Sequence, residues 1–160
     1  MLKTWCRILI DLRSQLFRTW FRLSRPMTLG VRGVVENSAG EILLVRHTYT
    51  KGLFFPGGGV ERGETTDLSL RRELQEEGGV KVTATPELLG VYSNHRVFRN
   101  DHVILYRVRH DEWVQCGNPI GREISEIVWC NPNDPPLDAT AGTRRRLREL
   151  FHGDARSLFW

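Results

Sequence analysis

Glu73, Glu76 and Glu77 are the residues of this chain whose types and spacing most directly suggest chemistry. They end a stretch from Gly57 to Val80 that reads GGGVERGETTDLSLRRELQEEGGV. If residues 65–77 form a helix, Glu73 and Glu77 stand one turn apart and Glu76 follows Glu73 by three, so the three carboxylates share a face. Like charges placed so cost roughly a few tenths of a kcal/mol per pair, and a bound cation offsets that repulsion. Hard oxygen donors with room left for water and phosphate oxygens suit Mg²⁺, or Mn²⁺ as a substitute, rather than zinc. Arg72 can pair with Glu76 or reach back to Glu64. Gly57, Gly58 and Gly59, after Pro56, let the backbone approach a ligand closely and offer it a carbonyl or amides.

The elements that must position these groups are marked in the same stretch. Leu70 and Leu74 lie one turn apart beside the acidic face and supply a core side, while Leu68 points elsewhere. Thr65 or Thr66 caps the start, Asp67 suits the positive end of the helix dipole, and Gly78 with Gly79 stops the helix.

The stretch resembles the signature box of the Nudix hydrolases and matches it at Gly58, Glu64, Arg72, Glu73, Leu74, Glu76, Glu77, Gly79 and Val80. The resemblance implies an α/β fold, an α/β/α sandwich with a mixed sheet. It also implies metal-dependent hydrolysis of a nucleoside diphosphate linked to another group. By position it makes Glu73, Glu76 and Glu77 metal ligands and Gly58 a backbone ligand. Arg72 and Glu64 become the pair that braces the loop against the helix. Clustered glutamates are usually just a solvated helix face. A solvated face, however, has no need of three glycines, a helix stop and fixed intervals together.

With 160 residues, 40% hydrophobic and 26% charged, the chain has the size and mix of one globular domain. Its net charge of +4 is compatible with a phosphate-bearing substrate and implies no specific nucleic-acid binding. Cys6, Cys116 and Cys130 form neither a disulfide framework nor a metal-ligand pattern, which fits a reducing cytoplasm. Residues 1–26 form a separate segment ahead of the hydrolase domain at 27–160. Lys3, Arg7, Arg13, Arg18, Arg22 and Arg25 alternate there with Trp5, Ile8, Leu12, Leu16, Trp20 and Phe21 at helical intervals. This reads as a basic amphipathic helix, too short and too interrupted to span a bilayer. Packing on the domain or on a second copy in a homodimer is the first reading. Peripheral contact with the inner face of a membrane is the second, and organelle targeting the last.

Beyond residue 26 the pattern turns to period two. Leu29–Glu36 and Ile42–His47 read as a β-hairpin joined by a turn at 37–41. Val80–Thr85, Leu88–Ser93, His102–Arg109 and Ile124–Cys130 read as further strands, residues 111–121 as a loop, and Ala139–Phe151 as a closing helix. In that helix Arg144, Arg145, Arg146 and Arg148 are expected outward, over a core side of Leu147, Leu150 and Phe151. Strands interleaved with helices suit a mixed sheet covered on both faces. Arg96 and Arg99, in the polar loop at 94–101, are candidates for substrate phosphate. His47, at a strand end, reads as structural. Members of the family similar to this chain often place a further acid before the last strand. Glu123 holds that place, with Glu126 as its competitor.

The expected mechanism is displacement at phosphorus. Metal ions on Glu73, Glu76 and Glu77 neutralise the diphosphate and activate a water, with Glu77 or Glu123 as base. Subgroup signatures for ADP-ribose, dinucleoside polyphosphates and NADH are missing, which leaves nucleoside triphosphates and nucleotide sugars. Two alternatives remain: a nucleotide-sensing module without turnover, and a membrane-associated hydrolase of a lipid-linked diphosphate.

Overall fold

In the computed structural model, Trp20, residues 27–121 and residues 123–160 are described. The amphipathic helix expected over 1–26 lies outside them, apart from Trp20, whose backbone is helical. The elements are β1 (Thr28–Val35), β2 (Ile42–His47), α1 (Thr66–Gly78), β3 (Val80–Val82) and β4 (Glu87–Ser93). They continue with β5 (Asp101–Val108), β6 (Trp113–Gln115), β7 (Ile124–Cys130) and α2 (Ala141–Phe151). Among the described residues no helix is long and apolar enough to cross a membrane.

Alternation along the strands sorts the core into two layers. Val31 and Val35 of β1, Leu43 of β2, and Ile104, Tyr106 and Val108 of β5 pack with Leu70 and Leu74 of α1. Val34, Ile42, Leu44 and Leu105 point the other way, where they join Phe55, Tyr92 and Leu147 of α2. Helices therefore cover opposite faces of the strands, and the α/β sandwich follows from which alternate positions are apolar. At Gly33 the helix comes so close that a Cβ would lie 2.7 Å from Leu74 Cδ2.

The strands pair differently from the expected hairpin. β1 runs parallel to β5, β5 antiparallel to β4, and β2 antiparallel to β7. β1 and β2 meet through a single bridge, Glu36 to Ile42. The free edge of β1 is taken instead by the glycine-rich loop. Val31 N–H donates to the Gly58 carbonyl at 2.9 Å, Gly33 N–H to Pro56 at 2.9 Å, and Val60 N–H to Leu29 at 2.9 Å. A nonlocal competitor thus displaces the local partner, and it fastens the loop that precedes α1 to the centre of the fold.

Two further expectations are corrected. The strand expected over 80–85 stops at Val82, and the segment expected as a loop over 111–121 contributes β6, which pairs with β3. Trp113 explains the ordering of that short strand: its ring stacks on Trp129 at 5.7 Å and its indole N–H donates to the Glu36 carbonyl at 2.8 Å. The closing helix starts at Ala141, capped by Thr140, and its arginines are not all outward. Arg146 is fully buried. Cys130 is buried too, and burial pushes its thiol up to about 11.

Candidate active site

α1 starts where its sequence says it should. Thr65 is the N-cap, its hydroxyl accepting from Leu68 N–H, and Gly79 ends the helix in the left-handed conformation at φ +63°. Leu68 is exposed, while Leu70 and Leu74 are buried. This rotation leaves Glu73, Glu76 and Glu77 together on the side that faces the glycine loop.

The loop is shaped to receive them. Gly57 has φ +142°, a conformation that suits glycine, and any side chain there would strike the Val31 backbone. Its N–H donates to Glu77 Oε2 at 2.7 Å. At Gly58 the Glu73 carboxyl lies so close that a Cβ would come within 2.5 Å of it. The Gly58 carbonyl, which already accepts from Val31, keeps one lone pair free.

Arg72 is the hub that ties loop to helix. Its guanidinium donates to Glu64 Oε1 at 3.0 Å, Glu73 Oε1 at 2.6 Å, Glu76 Oε2 at 3.3 Å and the Gly59 carbonyl at 3.2 Å. Both routes open to Arg72 in the sequence are therefore used, with Glu73 added. Hydrogen bonds from Arg72 and then Ser69 hold the Glu64 carboxyl well down, at about 2.

Beyond that brace, Arg32 is the cation that acts on Glu73 and Glu77. Glu77 is buried, and loss of water raises its pKa to about 7 against the opposing pull of the Gly57 N–H and Arg32. Burial raises Glu73 as well, opposed by Arg72. Glu73, Glu76 and Glu77 line one cleft of about 340 Å³ with Pro119, Glu123 and Ile124. Glu123 is exposed and makes no ion pair to a described residue, whereas its competitor Glu126 is spent on Arg46 at 2.6 Å. Among the described residues no three carboxylates are gathered as a ready ligand set; Glu73 and Glu76 turn to Arg72 and Glu77 to Gly57. The donor chemistry nevertheless fits a hard divalent cation: carboxylates that burial keeps reluctant to ionise gain from an added positive charge.

Two residues beside the acids carry no motif. Arg32 donates to the carbonyls of Phe55 at 3.0 Å and Gly57 at 2.5 Å, and burial lowers its pKa while Glu77 and Glu73 oppose the shift. The only sequence signal for it is a charged residue within an otherwise apolar strand. His47 Nδ1 lies 3.5 Å from Glu77 Oε1, without hydrogen-bond geometry and with no other described partner. Burial first, and Arg32 second, hold its pKa below the ordinary value, which disfavours an ion pair with Glu77.

A second, larger cavity of about 500 Å³ opens on the α2 side of β1. Thr28, Gly30 and Arg32 of β1 and Asp101 and Val103 of β5 form its floor, and Phe54 and Trp160 are among its walls. Gly58 belongs to its lining too, and Gly58 packs closely against Glu73 of the acidic cleft. The 94–101 loop contributes Asn94, Val97 and Phe98. Arg96 and Arg99 are exposed and outside the lining, with the Arg96 guanidinium 4.0 Å over the Phe159 ring.

The family model for the NUDIX domain matches residues 26–151. The chain belongs to the Nudix family. It is therefore a Nudix-type pyrophosphohydrolase, a family that generally uses divalent metals. It is 35% identical over 101 residues to an 8-oxo-dGTP diphosphatase of Haemophilus influenzae, covering 61% of this chain and 71% of that one. Over 87 residues it is 38% identical to an ADP-ribose pyrophosphatase of Methanocaldococcus jannaschii, covering 52% and 50%. Among solved structures, the MutT protein from Methanosarcina mazei superposes with a TM-score of 0.65 at 18% identity, covering 82% of this Nudix chain and 98% of the other. The MutT NUDIX hydrolase from Burkholderia pseudomallei gives 0.62 at 20% identity, covering 78% and 98%. These two show the shared fold.

Proposed function

We propose that this Nudix enzyme is a Mg²⁺-dependent hydrolase of the phosphoanhydride in a nucleoside diphosphate linked to another group, with nucleoside triphosphates as the favoured class. The observation that carries the reading is the junction at Gly58. A cavity with aromatic walls adjoins a cleft lined by four glutamates, which suits a base on one side and a diphosphate on the other. The 8-oxo-dGTP diphosphatase relatives support the triphosphate class, and the ADP-ribose relative keeps nucleotide sugars on the panel.

Glu73, Glu76 and Glu77, with the Gly58 carbonyl, would hold the ion, which supplies charge neutralisation at the diphosphate and Lewis acidity. Arg32 stands at the junction and meets phosphate oxygens; Arg96 and Arg99 attract the anion from the rim. Arg72 and Glu64 keep the loop at its distance from α1. Glu123, the cleft carboxylate without an ion pair among the described residues, takes the proton of the attacking water. The new P–O bond forms as the anhydride P–O bond breaks, and the leaving phosphate carries away the electron pair.

The test is phosphate or pyrophosphate release from a panel of nucleoside di- and triphosphates, nucleotide sugars and ADP-ribose, with Mg²⁺, with Mn²⁺ and with chelator. Turnover is expected to need the metal and to be lost in Glu76→Gln, whose exposed side chain can be exchanged without touching the core. Binding without turnover across the panel would favour a nucleotide sensor instead.

A further inference from the structure

Residues 152–160 leave α2 and return along β4, outside the segment that the NUDIX domain model matches. Ser93 N–H donates to the Leu158 carbonyl at 2.9 Å, and Trp160 N–H donates to the Ser93 carbonyl at 3.0 Å, around a parallel bridge from Ser93 to Phe159. Buried Arg146 fixes this return. Its guanidinium donates to the Phe159 carbonyl at 3.1 Å and to Glu149 Oε1 at 2.5 Å, and the same oxygen accepts from Ser157 N–H at 2.9 Å.

The clamp ends on one side chain. The Arg146 guanidinium lies 4.1 Å from the Tyr92 ring and 5.6 Å from the Trp160 ring, and those rings meet edge to face at 5.8 Å. Arg145 donates to the Trp160 carbonyl. The indole rests on the first turn of α2 at Gly142, where a Cβ would come 2.6 Å from its Nε1. Held from the backbone, from Arg146 and from Gly142, Trp160 also lines the cavity of about 500 Å³.

We propose that Trp160 is the aromatic wall on which the nucleotide base stacks, a specificity residue supplied by the returning tail, and that Arg146 is the positioning residue behind it. The inference rests on the nucleotide reading given above. A clamped indole offers a planar base a large face whose ordering was completed on folding, so little of the stacking energy is lost at binding. Trp160 is not in the lining of the carboxylate cleft, so it acts on substrate affinity and leaves the chemical step alone.

Steady-state kinetics on a nucleoside triphosphate and on ribose 5-triphosphate, which lacks the base, test this. Trp160→Ala is expected to raise KM for the nucleotide about tenfold, the scale of a lost base–aromatic stack, with kcat unchanged and the base-free compound unaffected. Trp160→Phe should restore most of the affinity, and Gly142→Ala, which displaces the indole, should raise KM likewise. Arg146→Gln should raise KM in the wild type and add nothing in the Trp160→Ala background. An unchanged nucleotide KM in folded Trp160→Ala, or an equal rise for ribose 5-triphosphate, would overturn the inference and leave the hydrolase reading standing. A wild type that turns over neither compound overturns the nucleotide reading, and this inference with it.

Discussion

α1 and α2 each carry an arginine at the centre of a polar cluster, Arg72 and Arg146, and these two clusters are built for opposite ends. Arg72 on α1 meets Glu64, Glu73 and Glu76, with Glu77 just beyond. Arg146 on α2 meets a single carboxylate, Glu149, and spends its remaining reach on a carbonyl and two aromatic rings. Their shortest ion-pair distances, 2.6 Å and 2.5 Å, are nearly the same. The charge count separates them. Around Arg72 four acids face two cations, Arg72 and Arg32, whereas Arg146 and Glu149 form a one-to-one pair sealed from water that serves architecture.

Removing each arginine should break this comparison in different ways. Arg146→Ala strands the Glu149 carboxylate in the interior and should cost about 3–5 kcal/mol of unfolding free energy, the range for half of a buried ion pair. Arg72→Ala leaves Glu64 and Glu76 open to water and only Glu73 largely buried, so it should cost less, about 1–2 kcal/mol, while its activity falls further than its stability. Urea unfolding of both variants measures the gap. Equal losses would mean that the two clusters do the same job.

The smallest effect concerns pH. Because Glu64 holds its proton only down at about 2 in the folded chain and near 4.5 when unfolded, the unfolded state binds more protons between those values. The stability it contributes is complete above about pH 4.5 and is lost as pH falls towards about 2. The difference in unfolding free energy between wild type and Glu64→Gln should therefore shrink on acidification. A difference independent of pH would remove Glu64 from the brace.

What was legible in the sequence follows the same division. The acid set could be read because its partners are local: one helix turn sets the spacing of Glu73, Glu76 and Glu77, and the glycines that receive them come a few residues earlier. Most of the strands could be read because period-two alternation is local as well. Arg146 was read as outward because it stands in a run of arginines, although it lies three residues after buried Thr143 and four before Leu150, on the inner face of the helix. The wheel held that signal; the aromatic partners that make the burial tolerable, Tyr92 and Trp160, come from distant strand and tail. The expected β1–β2 hairpin failed for a similar reason, since the glycine loop outcompetes β2 for the edge of β1 through contacts that no window of neighbouring residues contains.

In the proposed function, the surplus carboxylates of α1 bind a cation for the hydrolysis of a nucleotide. This is tested most directly by titrating Mg²⁺ into wild type and Glu77→Gln while following hydrolysis of a nucleoside triphosphate. The amide keeps the size of the buried side chain and can still accept from Gly57 N–H, so the fold should persist. Activity is expected to rise with Mg²⁺ in the wild type and to stay lower by about 10²–10³-fold in the variant at every concentration. A correctly folded Glu77→Gln enzyme with full metal-dependent turnover would mean that Glu77 neither holds the cation nor takes part in hydrolysis.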